Sequence, residues 1–173
     1  MIRSFDEVGQ NTTNALFLID IDDTTLCYER SYYDFTAEVR RCNPMWADDA
    51  CRTAACTLYM EYIRNNKPRH TDFSGFCRLL NRSKQTNSCV MFLTARHKLS
   101  EAHTARDFGL IGLDYNHFKV HYTNNEITKG EYILKHIDMT RYDEVVFVDN
   151  DADFIKSVET VCPHIKCYQF NCR

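Results

Sequence analysis

The stretch Ala15-Leu16-Phe17-Leu18-Ile19-Asp20-Ile21-Asp22-Asp23-Thr24-Thr25-Leu26 opens as an apolar run and ends in three carboxylates and two threonines. A short continuous apolar run reads as a strand buried on both faces of a parallel sheet. Such sheets hold their ligands in the crevice beyond the carboxyl ends of the strands, so these acids fall where chemistry is expected. Asp20 and Asp22 stand two residues apart; one can act as nucleophile or metal ligand while its neighbour handles a proton. Burying three adjacent acids is costly unless a cation or hydrogen bonds compensate. A bound divalent metal is the natural compensation.

Outward from this stretch the chain alternates. Cys89-Val90-Met91-Phe92-Leu93 reads as a strand ending in Thr94-Ala95-Arg96, His117 to Tyr122 as a third, Glu144 to Asp149 as a fourth and Ile165 to Phe170 as a fifth. Between them, Phe76, Leu79 and Leu80 mark one helix, and Leu99, Ala102, His103 and Arg106 a second that stops at Gly109 and Gly112. Gly130 to Ile137 and Phe154 to Val161 read as two more. Strands separated by helices predict an α/β fold, a doubly wound, Rossmann-like parallel sheet of about five strands with helices on both faces. The first 14 residues are polar and are expected over the sheet edge, with a short helical turn near Ser4 to Val8. Cys27 to Asp72 differs: after the Asn43-Pro44 break, Ala47, Ala50, Cys51, Ala54, Leu58, Tyr62 and Ile63 recur near a period of 3.6. The division is therefore a core from residues 1–26 and 73–173 with a helical insert at 27–72. Its aromatic cluster, Tyr28, Tyr32, Tyr33 and Phe35, is expected to pack between insert and core.

A length of 173 residues with 44% hydrophobic content suits one globular core with a small insert. The net charge of −3 argues against a protein wholly devoted to nucleic acid. From Cys27 to Lys84, ten Lys and Arg face seven Asp and Glu, giving +3 and leaving −6 for the segments that hold the acids. Nine cysteines, an odd number without a Cys-x-x-Cys pair, suggest a reducing compartment. The even spacing of Cys162, Cys167 and Cys172 is too wide for a usual zinc site. No leader-like start and no apolar run of about 20 residues is present, so no membrane association and a cytoplasmic location are expected.

Three predicted strands thus end in catalytic residue types: Asp20 and Asp22, then Thr94, then Asp149. This order resembles the four signatures of the haloacid dehalogenase (HAD) superfamily, whose first is aspartate-x-aspartate-x-threonine after an apolar strand. It extends over essentially the whole chain outside the insert, with Lys129 matching the third signature and Asp149 with Asp153 the fourth. The resemblance implies an Mg²⁺-dependent phosphomonoester hydrolase. Asp20 would attack phosphorus to form an aspartyl phosphate, and Asp22 would protonate the leaving oxygen and later deprotonate water. Thr94 and Lys129 would stabilise the phosphoryl oxygens. Mg²⁺ would be held by Asp20, Asp149, Asp153 and the backbone carbonyl of Asp22. Asp23, Thr24 and Arg96 are candidate substrate contacts; many relatives carry glycine in place of Asp23, which points to a role in the turn. A lysine at a helix start opposes the helix dipole, a mild penalty that favours a functional reason for Lys129.

One departure stands out. Val148-Asp149-Asn150-Asp151-Ala152-Asp153 offers several alignments to the fourth signature, and the second metal-side acid is either Asp151 or Asp153. A true dehalogenase would not need Asp22, so phosphate chemistry is favoured; a phosphotransferase could use the same residues, and a catalytically silent binding module is the alternative from another class. In this superfamily an insert after the first strand forms a cap over the site, and the length here implies a cap that encloses a small phosphorylated molecule, nucleotides first. Arg40, Arg41, Arg52, Arg64, Lys67 and Arg69 could attract a polyanion or a nucleotide, and Leu93-Thr94-Ala95-Arg96 followed by Thr104 resembles both phosphatases acting on nucleic-acid 3′ ends and bacterial acid phosphatases; a nucleic-acid end is the runner-up partner.

Overall fold

The apolar run forms strand β1 (Ala15–Ile19), and all five of its residues are buried. The computed structural model describes residues 1–172. After β1 come β2 (Leu26–Cys27), α1 (Tyr32–Cys42), α2 (Asp48–Asn65), β3 (Arg69–His70), α3 (Phe73–Gln85), β4 (Cys89–Thr94) and α4 (Glu101–Leu110). The chain continues through β5 (Lys119–Tyr122), α5 (Lys129–His136), β6 (Glu144–Asp149), α6 (Ala152–Val161) and β7 (Lys166–Gln169). Five strands pair in parallel in the order β5-β4-β1-β6-β7. The chain winds outward from β1 through β4 to β5, then returns to the other side for β6 and β7. The order therefore reverses between β1 and β6, where an open α/β sheet leaves a crevice at its carboxyl edge.

Alternation along β1 divides the core into two layers. Phe17 and Ile19 pack with Phe76 and Leu79 of α3 and Phe108 of α4, whereas Leu16 and Leu18 pack with Ile133 of α5 and Val158 of α6. Each such fully buried side chain contributes about 1.5–3 kcal/mol. The sheet is the Rossmann-like one the sequence predicts, although the third strand is shorter: Tyr115–His117 is a 3₁₀ turn and pairing starts at Lys119. The N-terminal turn is 3₁₀ as well, over Phe5–Glu7, and Phe5 stacks on Phe170 at 4.8 Å. Asp72 caps α3 by accepting from the Gly75 amide and also accepts from Ser4 Oγ and the Phe5 amide, which ties this turn to the core.

Between β2 and β3, an antiparallel two-stranded ribbon, α1 and α2 pack as a helical hairpin around Phe35, Val39, Cys51 and Ala55. Ser31 and Asp34 form a capping box that starts α1. Among the described residues no helix is long and apolar enough to cross a membrane.

Helix α5 approaches α6 closely at Gly130, where an added Cβ would lie 2.3 Å from the Ser157 carbonyl oxygen. Gly130→Ala should therefore destabilise the protein by about 1–3 kcal/mol through overpacking, more than the roughly 0.5–1 kcal/mol that alanine gains in a helix. Urea melts check this; an unchanged or raised midpoint would show that the helices part at no cost.

Candidate functional site

Asp20 follows β1 and Asp149 ends β6, so the two acids sit side by side at the switch point. Between them lies Lys129, the first residue of α5. Its Nζ donates to Asp20 Oδ1 at 2.5 Å and to Asp149 Oδ2 at 2.6 Å. The lysine is fully buried and reaches this point because Thr128 and Glu131 cap the helix start just before it. Its charge, unfavourable for the helix, is favourable for the acids. Burial pushes the Asp20 carboxyl up to about 8, against the opposing pull of Lys129 and with help from Asp149 and Asp22. Burial likewise raises Asp149. For Lys129, burial acts to lower the pKa, but Asp149 and Asp20 outweigh it and hold the ammonium charged.

Asp22 has a different partner. Arg96, beyond the end of β4, grips it through two hydrogen bonds, Nε to Oδ2 at 2.8 Å and Nη2 to Oδ1 at 2.7 Å. Burial alone would raise Asp22, but this fork holds it below the usual carboxylate range. Arg96 is itself anchored from behind, by Thr104 Oγ1 and by the buried carboxylate of Asp107, 3.1 Å from each. Thr94, buried at the end of β4, accepts from the Arg96 amide at 3.1 Å, so its own hydroxyl proton can be donated to a ligand.

These groups open into one cavity of about 540 Å³, lined on the core side by Asp20, Asp22, Asp23, Thr94, Arg96 and Asp149 and on the insert side by Tyr32, Tyr33, Tyr59, Met60 and Ile63. The structure brings most of the predicted residues together and sets two aside. Thr24, expected to touch substrate, is fully buried and exchanges hydrogen bonds with Asn150, joining the loops after β1 and β6. Asp153 is exposed in the first turn of α6 and lies outside the cavity lining, while Asp151 faces the cavity. The offset of four residues from Asp149 carries Asp153 onto the helix. Asp151 stays at its N-cap, accepting from the Asp153 amide and from the Tyr33 hydroxyl at 2.6 Å. Asp23 has φ +56°, which agrees with a turn position that favours glycine. Lys129 lies beneath the acids rather than on the cavity wall.

For a metal, the available donors are carboxylate oxygens from Asp20, Asp22, Asp149 and Asp151. Among the described residues no group of three His, Cys, Asp or Glu is already arranged around an ion position. Carboxylates nonetheless outnumber cations here: Lys129 serves Asp20 and Asp149, and Arg96 serves Asp22 and Asp107. An oxygen-only, negatively charged donor set fits a hard divalent cation that keeps several waters.

Sequence reasoning missed Asp107 and Tyr59. Asp107 is an ordinary polar type whose partners depend on tertiary packing, and Tyr59 read only as one more residue of a helical insert.

No family model and no curated protein matches the chain. Solved structures do. One is a protein provisionally called a beta-phosphoglucomutase from Thermotoga maritima, with a TM-score of 0.56 and 10% identity over 90% of this chain and 84% of the other. Another belongs to a Pnkp1/Rnl/Hen1 complex, with a TM-score of 0.51 and 14% identity over 92% of this chain but only 46% of that one. At these identities the likeness is one of fold.

Proposed function

We propose that this chain is a phosphomonoester hydrolase of the HAD type, acting with Mg²⁺ through an aspartyl phosphate on Asp20. The observation that carries the reading is the Asp20–Lys129–Asp149 bridge at the switch point, beside a cavity that also holds Thr94 and the Asp22–Arg96 pair. Fold likeness to the Thermotoga maritima protein supports it.

Asp20 directly follows the central strand and lines the cavity, which supports it as the nucleophile. Lys129 opposes the rise that burial imposes on it and holds it in place, and a second cation beside it would favour the carboxylate further. Asp20, Asp149 and Asp151 would hold Mg²⁺, which would supply charge to offset the approach of a phosphate dianion to the acids. Thr94 donates its hydroxyl to a phosphoryl oxygen. Asp22, held ionised by Arg96, is ready as the base that takes a proton from water in the second half-reaction. Protonating the leaving oxygen in the first half requires the Arg96 fork to loosen, so that Asp22 can carry a proton.

The substrate is a small phosphorylated molecule, since the α1–α2 hairpin contributes a wall to the cavity and about 540 Å³ lies within the range of small-ligand sites. The test is a phosphate-release screen over nucleotides, sugar phosphates, phosphopeptides and 3′-phosphorylated oligonucleotides, with Mg²⁺ and with chelator. Release from small monoesters that chelator abolishes and Mg²⁺ restores is the expected result; full activity in chelator would remove the metal, and no release from any class would remove the function.

A further inference from the structure

We infer that the α1–α2 hairpin selects a monophosphate whose alcohol carries an uncharged, planar ring, which lies against Tyr59. This rests on the phosphomonoesterase reading and names its substrate class.

The basic residues of the hairpin point away from the site. Arg40 pairs with Asp48, and Arg40, Arg41, Arg52, Arg64, Lys67 and Arg69 are all exposed, none of them among the cavity lining. Among the described lining residues Arg96 is the one Lys or Arg, and it already faces Asp22 and Asp107. Against it stand Asp20, Asp22, Asp23, Asp149 and Asp151. A second phosphate on the substrate would meet these acids without a cation of its own, which disfavours bisphosphates and nucleic-acid ends.

What the hairpin does offer is rings. Tyr32, Tyr33, Tyr59, Met60 and Ile63 line the cavity, as does Phe154 of α6. Tyr59 is fixed by edge contacts with Tyr28 and Tyr32, at centroid distances of 6.4 and 6.2 Å, and by Phe35 at 6.0 Å. It lines the cavity even so. A ring held on several sides loses little freedom when a ligand ring packs on it, so the site is organised before binding. Burial raises the Tyr59 hydroxyl, and the charges of Asp22 and Asp23 add to the rise.

Three esters of similar leaving-group acidity separate the possibilities: 2-phenylethyl phosphate, 2-cyclohexylethyl phosphate and the bisphosphate of ethylene glycol. With wild-type protein and Mg²⁺, kcat/KM should favour the phenyl over the cyclohexyl ester by roughly five- to tenfold, the size of an aromatic contact beyond area burial, and the bisphosphate should be poorest. Tyr59→Leu, which keeps apolar bulk, should collapse the phenyl-to-cyclohexyl ratio toward one. Saturation-transfer NMR reads the ring contact without turnover: the phenyl protons should receive saturation from wild type and much less from Tyr59→Leu. Equal rates for the two ring esters, or preference for the bisphosphate, overturns the inference. Saturation transfer that depends on Tyr59 with no ester hydrolysed would keep the ring site and overturn the phosphatase reading instead.

Discussion

Lys129→Met should destabilise the protein by about 3–5 kcal/mol, the usual cost of removing one partner from a buried ion pair. The lysine is fully buried and is the hydrogen-bond donor shared by Asp20 and Asp149. Methionine fills similar space without the charge, so the loss is electrostatic rather than a cavity. Burial raises both carboxyls in wild type against the pull of Lys129; without that pull both rise further, and the folded variant holds more protons than folded wild type. The unfolded chain releases both protons near pH 4, so above that pH the folded variant binds more protons than the unfolded one, and its stability falls as pH rises. The deficit should be largest near neutral pH and shrink toward pH 5. Urea melts of wild type and variant without metal at both ends of this window check it. A deficit under about 1 kcal/mol, or one indifferent to pH, would mean that the bridge adds nothing to the fold.

The parts of the fold that a linear pattern encodes were legible. Ala15–Ile19, Cys89–Thr94 and Glu144–Asp149 are apolar runs because each is covered on both faces, and their polar endings mark the carboxyl edge directly. Helix α2 showed its period, whereas α1 was harder to see, since Tyr32 and Phe35 read as part of an aromatic cluster rather than, with Val39, as one face. Residues whose position depends on packing between distant segments were not legible. Arg96 could be named, but that Asp107, eleven residues on, anchors it follows only from how α4 lies beneath the loop after β4. That Asp151 faces the cavity while Asp153 does not follows from the residue at which α6 begins, and helix starts are set locally by caps that an Asp-rich run leaves ambiguous. The outward direction of the hairpin's basic residues is likewise a matter of which face of each helix packs.

Asp20→Asn should lower kcat by at least about a thousandfold, because the amide cannot attack phosphorus and removing a covalent nucleophile costs at least that much. The variant should still fold. The neutral amide leaves Lys129 paired one-to-one with Asp149 and relieves a carboxyl that burial pushes up to about 8, so its metal-free melting midpoint at neutral pH should match or exceed wild type. Stability gained where activity is lost is the usual mark of a strained functional residue.

The most direct measurement is therefore to mix wild-type protein and Mg²⁺ with a cleaved ester carrying a radioactive phosphoryl group, quench in acid within a turnover, and map the label. The account predicts label on the peptide containing Asp20, absent in Asp20→Asn. Label on another residue, or phosphate release at the wild-type rate by Asp20→Asn, would contradict it.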